Sequence, residues 1–396
     1  MAVTKRLKSL DVLRGITIAG MLLVNNPGSW SHIYAPLEHA EWNGLTPTDL
    51  VFPFFMFIMG VSTYMSLRRY DFTLSRKLFR KILRRALVIF GIGIAIQLFA
   101  RLCYWLADPE PTRTLADKLF TNIRTLGVMQ RLALCYFCAA LLSCTVKVKR
   151  LPWVAGLLLV GYGVALLAGH GYDIDIDTIH HNIIWRVDSA VLGENHMYHG
   201  LGALADLPKE LHAFDPEGLF STLGALAHVL IGVVTGALIM KNNDNDRRVN
   251  QLFIAGSLMM IAGWLLSYGL PINKNIWSPT FVLTTCGMAS TLLALLIWSI
   301  DIKGRDGWCA PFHVFGINPL FLYVLGGVLA ILFGAIELPI GGEMISIHNI
   351  IYREMLLAFL PAGSEKFASC LFAIIFVAIN WAFGYWLYKK KIYIKI

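Results

Sequence analysis

Charged and amide side chains that interrupt apolar runs are where this chain of 396 residues could do chemistry, because charge is costly to hold in hydrocarbon. Asp11 and Arg14, in Ser9-Leu10-Asp11-Val12-Leu13-Arg14-Gly15, stand at i and i+3 on one helix face, where they can neutralise each other. Segment 27–47, which follows Asn25 and Asn26, carries His32, Glu38, His39 and Glu41 but no Lys or Arg, and is unusually polar and aromatic for a membrane turn. Arg131 lies inside an apolar run and needs either an internal carboxylate, Asp11 or Glu217, or an anionic ligand. Lys274, flanked by Asn273 and Asn275 and close to Trp277, forms either a polar and aromatic seat for a hydroxyl-rich ligand or an ordinary aromatic-belt turn. Asp215 and Glu217 are expected to start a helix, where the dipole alone favours acidic residues. His180, His181, His196, His199 and His212, with Asp173, Asp175 and Asp177, offer ligands to a divalent ion, but the spacing is nonspecific, no cysteine joins them, and no metal is expected. The seven cysteines show no paired spacing and read as small buried hydrophobes. His228, within an apolar helix, is expected to be a satisfied core histidine, and Asn318 and Asn380 are expected to hydrogen-bond across helices.

The elements that must position these groups are membrane spans. Hydrophobic residues make up 57% of the chain and charged ones 15%, against about 25% charged in a soluble domain. Mean hydropathy is +0.62, and no polar block is large enough for a soluble domain. Apolar runs long enough to span fall near 10–31, 48–67, 82–106, 126–146, 152–168, 218–240, 250–270, 279–300, 311–336 and 366–388, which predicts an all-α polytopic bundle of about ten helices in one domain, 1–396. The first run follows Lys5, Arg6 and Lys8 but has no small-residue cleavage site, so it is expected to remain as a helix. Ten spans put both termini on one side. That side collects 23 Lys and Arg, eight of them in the second connection, against eight on the other side. Positive residues stay cytoplasmic, so both termini are predicted to be cytoplasmic, and the net charge of +9 is a topology signal with no call for nucleic acid. The opposite side then receives segment 27–47 and a long loop, 169–217. Residues Ser346 to Leu360 carry a short helical apolar stripe and read as an interfacial or re-entrant helix.

Several motifs, in order, resemble one family. Leu10-Asp11-Val12-Leu13-Arg14-Gly15, Val24-Asn25, His39-Ala40-x-Trp42-Asn43-Gly44-Leu45-Thr46 and Asp49-Leu50-Val51-Phe52-Pro53 are followed by Gly127-Val128-Met129-Gln130-Arg131-Leu132, Asp215-Pro216-Glu217-Gly218-Leu219, Asn275-x-Trp277-Ser278 and Gly316-x-Asn318-Pro319-Leu320. Together they are similar to the heparan-α-glucosaminide N-acetyltransferase family of transmembrane acetyltransferases and its bacterial relatives. The lumenal N-terminal domain and leading helix of the lysosomal enzyme have no counterpart here, so its targeting and glycan-chain recognition are not expected to transfer.

The resemblance implies transfer of an acetyl group from cytoplasmic acetyl-CoA to the amino group of a glucosamine-type sugar on the far side, in a bacterial inner membrane. It places the family's histidine on His39 and its asparagine on Asn25. Imidazole, with a pKa near 6.5, can take the proton of an attacking amine, or can itself carry the acetyl group. Asn25 can donate an amide N–H to the developing oxyanion. Arg14, Gln130 and Arg131 are assigned to acetyl-CoA, and Trp42, Asn43, Asp49, Glu217, Lys274 and Asn275 to the acceptor. Large membrane-embedded faces would suit a homodimer as well as lipid. A transporter or flippase of polar metabolites, and a lipid- or glycan-directed O-acyltransferase, are the alternatives, separated from the first reading by acceptor-dependent thiol release and by acceptor identity.

Overall fold

The computed structural model describes residues 7–107, 114–175, 178–206, 208, 212–242 and 244–394. Asp177, Lys5, Arg6, Arg113, Lys209 and Lys395, all used in the readings above, lie outside the described residues. The helices are, in chain order, α1 (Lys8–Val24), α2 (Val51–Leu67), α3 (Arg76–Ala107), α4 (Leu115–Phe120), α5 (Val128–Thr145), α6 (Leu151–Ala168), α7 (Ile183–Leu192), α8 (Thr222–Lys241), α9 (Asn245–Leu266), α10 (Pro279–Leu296), α11 (Ala310–Ile317), α12 (Pro319–Ala335), α13 (Ile347–Asn349) and α14 (Glu365–Lys389). A hairpin of β1 (Glu337–Ile340) and β2 (Glu343–Ser346) separates α12 from α13.

Among the described residues eight helices, taken with their flanking turns, are long and apolar enough to cross a membrane, and α11 with α12 adds a ninth that is bent by 77°. The chain is therefore an all-α polytopic membrane protein. Each of the ten expected runs meets a helix, with two amendments. The run at 311–336 is broken, because Pro319 cannot donate to the ladder and Asn318 turns its side chain to the C-terminal tail, giving Nδ2 to Ile392 O and taking the Ile394 N–H, both at 2.9 Å. The first helix has 17 residues, roughly 26 Å, a little under the hydrocarbon thickness of about 30 Å.

Successive spans run between two ends. Lys8 Nζ meets Asp306 at 2.6 Å, and the tail meets Asn318, so the N-terminus, the 303–309 turn and the C-terminal tail share one end, here called the N-terminal end. Segment 25–50, the 169–217 loop and the 271–278 turn gather at the far end.

Backbones approach closely where glycines face each other. A Cβ on Gly60 of α2 would lie 2.2 Å from Val229 O, and one on Gly232 of α8 would lie 2.3 Å from Phe57 O. The α1–α11 contact is closer still, with Phe312 O 1.7 Å from a Cβ on Gly15 and Asp11 O 2.0 Å from one on Gly316. In hydrocarbon, where apolar burial does not drive helices together, such dispersion contacts hold the bundle. Asn380 differs from expectation: its Nδ2 donates to Phe376 O at 3.0 Å within its own helix. His228 is buried as expected, with its ring packed on Trp277 and the Pro53 carbonyl as its polar neighbour.

The 169–217 loop caps the far end over its own small core, in which Tyr162, Leu166, Ile179, Ile184, Leu204, Phe214 and Ile276 pack with Trp42. The stripe expected between Ser346 and Leu360 becomes α13, a π-helical turn (Ile350–Leu356) and a 3-10 turn. Ahead of it the hairpin was not anticipated, although Gly341-Gly342 at φ 62° and 91° is the two-residue turn that a hairpin favours.

Candidate functional site

Asp49 is the middle residue of the 3-10 turn Thr48–Leu50 that leads into α2, with only 1% of its side chain exposed. Its Oδ2 accepts from the Ala40 N–H, the Thr46 N–H and the Thr46 hydroxyl at 3.0–3.1 Å, which folds segment 38–49 into a closed turn around the carboxylate. Its Oδ1 faces out of that turn and takes His39 Nδ1 at 2.7 Å and Lys274 Nζ at 3.2 Å. The proton on Nδ1 is inferred from this bond, and with that tautomer Nε2 keeps its lone pair. The imidazole is 44% exposed, so that lone pair can meet a ligand. Lys274 Nζ also lies 2.9 Å from Nδ1 and 3.4 Å from Nε2, so the ammonium sits against the ring beside both nitrogens. Burial pushes the Lys274 ammonium below its ordinary range, with Asp49 and Glu217 opposing the shift.

Most of the other residues assigned to the acceptor hold this turn in place. Trp42 donates from Nε1 to Tyr172 O at 2.9 Å and stacks edge-on against Phe214. Asn43 Oδ1 accepts from Asn273 Nδ2 at 3.2 Å, Gly44 N–H reaches Ile272 O at 2.7 Å, and Asn275 Nδ2 reaches Glu41 O at 3.3 Å. These bonds clamp segment 38–49 against the 271–278 turn. Trp277 anchors that turn from below: fully buried, in the left-handed region at φ 51°, it has the Arg131 guanidinium 5.2 Å from its ring.

Beside the turn lies a second polar group that sequence reasoning did not assemble. Asp215 and Glu217 do not begin a helix, since α8 starts only at Thr222; both bind Arg124. Arg124 Nε and Nη2 reach the two Asp215 oxygens at 3.0 and 2.5 Å, Nη2 also reaches Glu217 Oε2, and the Tyr198 ring lies 4.6 Å from the guanidinium carbon. Burial opposes ionisation of Glu217, but Arg124, with Arg131 and Lys274 behind it, holds the carboxyl below its usual range. Asp188 of α7 is pushed up to about 7, chiefly by burial and further by Asp215. Its Oδ1 accepts the Phe220 N–H at 3.0 Å while Oδ2 has no partner among the described residues.

A cavity of about 450 Å³ opens between the end of α1, α3, the start of α5 and α12. Asn25, Asn26, Gln97, Arg124, Gln130, Tyr198 and Tyr323 bring polar groups to its wall. Gln130 is 1% exposed and its Nε2 has no partner among the described residues. Asn25 and Gln130 thus meet in one cavity, while His39 and Lys274 sit outside its wall. Arg131 is fully buried and does not line it: Nη2 donates to the Ser221 hydroxyl and the Gly218 carbonyl, and Nε and Nη1 have no partner among the described residues. Arg14 lies nearer the N-terminal end, with Nη1 3.3 Å from Asp11 and Nη2 2.8 Å from the Ser62 hydroxyl. The loop histidines serve local structure, His196 Nδ1 bonding Ile123 O and His180 stacking on Trp185, and among the described residues no three His, Cys, Asp or Glu side chains gather as a metal site.

Of the residues sequence reasoning missed, Arg124 carried the only usable signal, a charge three residues ahead of the Gly127–Leu132 motif. Its partners lie about ninety residues away, beyond the reach of spacing.

A polytopic helical membrane protein with a histidine–carboxylate pair at one end, beside a polar cavity between its helices, is the class that fold and site define. Residues 6–167 match the model of the heparan-alpha-glucosaminide N-acetyltransferase catalytic domain. Heparan-alpha-glucosaminide N-acetyltransferase of Mus musculus is 28% identical over 375 residues, 81% of this chain, and that of Homo sapiens is 28% identical over 369 residues, 82% of it. The likeness to this family thus covers the first 167 residues by the domain model and about four fifths of this chain by these relatives. The chain spans about half the length of these relatives, 53% of each.

Proposed function

We propose that the protein is a transmembrane N-acetyltransferase of a bacterial inner membrane, moving an acetyl group from acetyl-CoA at the N-terminal end to the amino group of a glucosamine-type sugar at the far end. The observation that carries the reading is the His39–Asp49 pair: the 2.7 Å bond at Nδ1 fixes a half-exposed ring whose Nε2 has Lys274 Nζ 3.4 Å away. The excess of basic residues at the N-terminal end supports the orientation.

The acceptor nitrogen attacks the thioester carbonyl carbon. The N–C bond forms, the C–S bond breaks, the nitrogen loses its proton to His39 Nε2, and the coenzyme leaves as a thiol once it takes that proton. By the alternative route Nε2 attacks first and passes the acetyl group on. Asn25, in the cavity wall, is the donor assigned to the carbonyl oxygen as charge develops, a role worth about 2.7–4 kcal/mol for other such donors. Gln130 shares that wall and suits the same polar ligand. A donor whose phosphates meet Arg14 must reach along α1 to Asn25, eleven residues or roughly 16 Å, which an extended thioester-bearing arm can do.

Purified protein in lipid nanodiscs, given acetyl-CoA and a panel of amino sugars, tests this. Thiol release that depends on a free amino group, present with glucosamine and absent with N-acetylglucosamine, is expected. Acceptor uptake into vesicles with no thiol release would replace the enzyme with a transporter.

A further inference from the structure

The α2–α3 connection and the start of α3 carry Arg68, Arg69, Arg76, Lys77, Arg80, Lys81, Arg84 and Arg85, with Asp71 as the one acid between them. The other connections at the N-terminal end carry only two or three basic residues each, which suffices to set an orientation. Two of the eight have structural partners: Lys81 donates to the Tyr70 hydroxyl at 3.0 Å, and Arg85 lies 4.7 Å from the Tyr136 ring centre. Arg76, Arg80 and Arg84 are exposed, have no carboxylate partner among the described residues, and stand at i, i+4 and i+8 on one line of the helix. The opposite face, Leu78, Ile82, Ala86 and Ile89, is the buried one.

The same outward line changes character abruptly. Three residues after Arg84 comes Leu87, 62% exposed, beside Val88 at 37%, and then Gly91, where an added Cβ would point into open space with nothing from other elements within 4 Å. From Leu87 to Ala107 the helix runs roughly 31 Å, matching a hydrocarbon core of about 30 Å. The three arginines therefore begin where the hydrocarbon ends, Arg84 nearest to it and Arg76 roughly 12 Å farther out along the helix. A ligand for this line must present negative charge directly above acyl chain, a combination that an anionic glycerophospholipid has and a soluble phosphate lacks.

We propose that the outward face of α3 at Arg76, Arg80 and Arg84 binds the headgroup of an anionic phospholipid whose chains lie along Leu87, Val88 and Gly91. A basic residue near a charged leaflet contributes about fivefold in preference for anionic over neutral lipid, so the three together contribute on the order of a hundredfold. The full-length protein is reconstituted in nanodiscs of phosphatidylcholine alone and of phosphatidylcholine with phosphatidylglycerol, and melting and co-purified lipid are measured. The wild type is expected to melt higher with phosphatidylglycerol and to retain it. R76Q/R80Q/R84Q should melt as the wild type does in phosphatidylcholine and lose both the shift and the retained lipid, whereas R76K/R80K/R84K should keep them. Should the glutamine variant not fold, wild type at high salt should lose the shift without a change in pure phosphatidylcholine. An equal shift in wild type and glutamine variant, or none in the wild type, overturns the proposal. So does reproduction of the whole shift by soluble glycerol phosphate in phosphatidylcholine discs.

Discussion

Replacing Asp49 by asparagine keeps the volume of the side chain and removes one acceptor. In the wild type Oδ2 serves three donors of the closing turn while Oδ1 serves His39 Nδ1 and Lys274 Nζ. An asparagine that keeps its oxygen toward the turn must point its NH2 group at the other two donors. Imidazole can relieve that clash only by moving its proton to Nε2, the nitrogen that has to be free for the acceptor. The expected loss is that of a general base, 10²–10⁴-fold in turnover, or about 2.7–5.4 kcal/mol of barrier. The Lys274 ammonium also loses its acceptor and the His39 bond becomes a neutral one, at about 2–3 kcal/mol of stability in all, a loss that a folded domain can usually bear. Acceptor-dependent thiol release between about pH 6 and 9, with acetyl-CoA binding and melting followed in parallel, reads both effects. Turnover of Asp49→Asn within about threefold of wild type, while His39→Ala is inactive, would refute the orienting role and leave Asp49 as the closure of a turn.

His39→Ala should bind acetyl-CoA nearly as the wild type does and lose about 10²–10⁴-fold in turnover, with Asn25→Ala losing less; wild-type turnover in a folded His39→Ala protein would move the search to His32. Arg124→Met removes the guanidinium that pairs with both Asp215 and Glu217 and should cost about 3–5 kcal/mol, seen as a lower melting temperature; unchanged melting would mean those carboxyls are reached by water. Asp188 binds its proton more tightly folded, at about 7, than unfolded, near 3.9, so stability should fall as pH rises between those values and level off above them. Asp188→Asn should abolish that slope and melt higher than wild type above about pH 7, by at most on the order of 4 kcal/mol, and an unaltered melting–pH curve would contradict it. A single accessible cysteine at Glu41 should react with an impermeant reagent from outside intact cells and one at Leu74 should not; the reverse pattern would invert the proposed orientation.

The sequence by itself determined the spans. Hydrocarbon demands about 20 apolar residues per crossing whatever the neighbours do, so each apolar run found its helix, and charge in the short connectors was legible as a bias between the two ends. Asp11 with Arg14 was legible for the same reason, because i and i+3 share a helix face by local geometry alone, and the pair forms at 3.3 Å. Local chemistry failed where a partner came from far along the chain. Asp49 and Lys274, assigned to the acceptor one segment at a time, meet each other across 225 residues beside His39, and Asp215 and Glu217 read as helix-starting acids and instead share Arg124. Arg131, expected at a carboxylate or a phosphate, is enclosed by the Ser221 hydroxyl, a carbonyl and the Trp277 ring. Only packing could decide these cases. A buried charge takes whichever compensating groups the folded helices bring within about 3 Å, and that proximity depends on how the ends of α2, α5, α8 and α10 meet, which no spacing within one segment encodes.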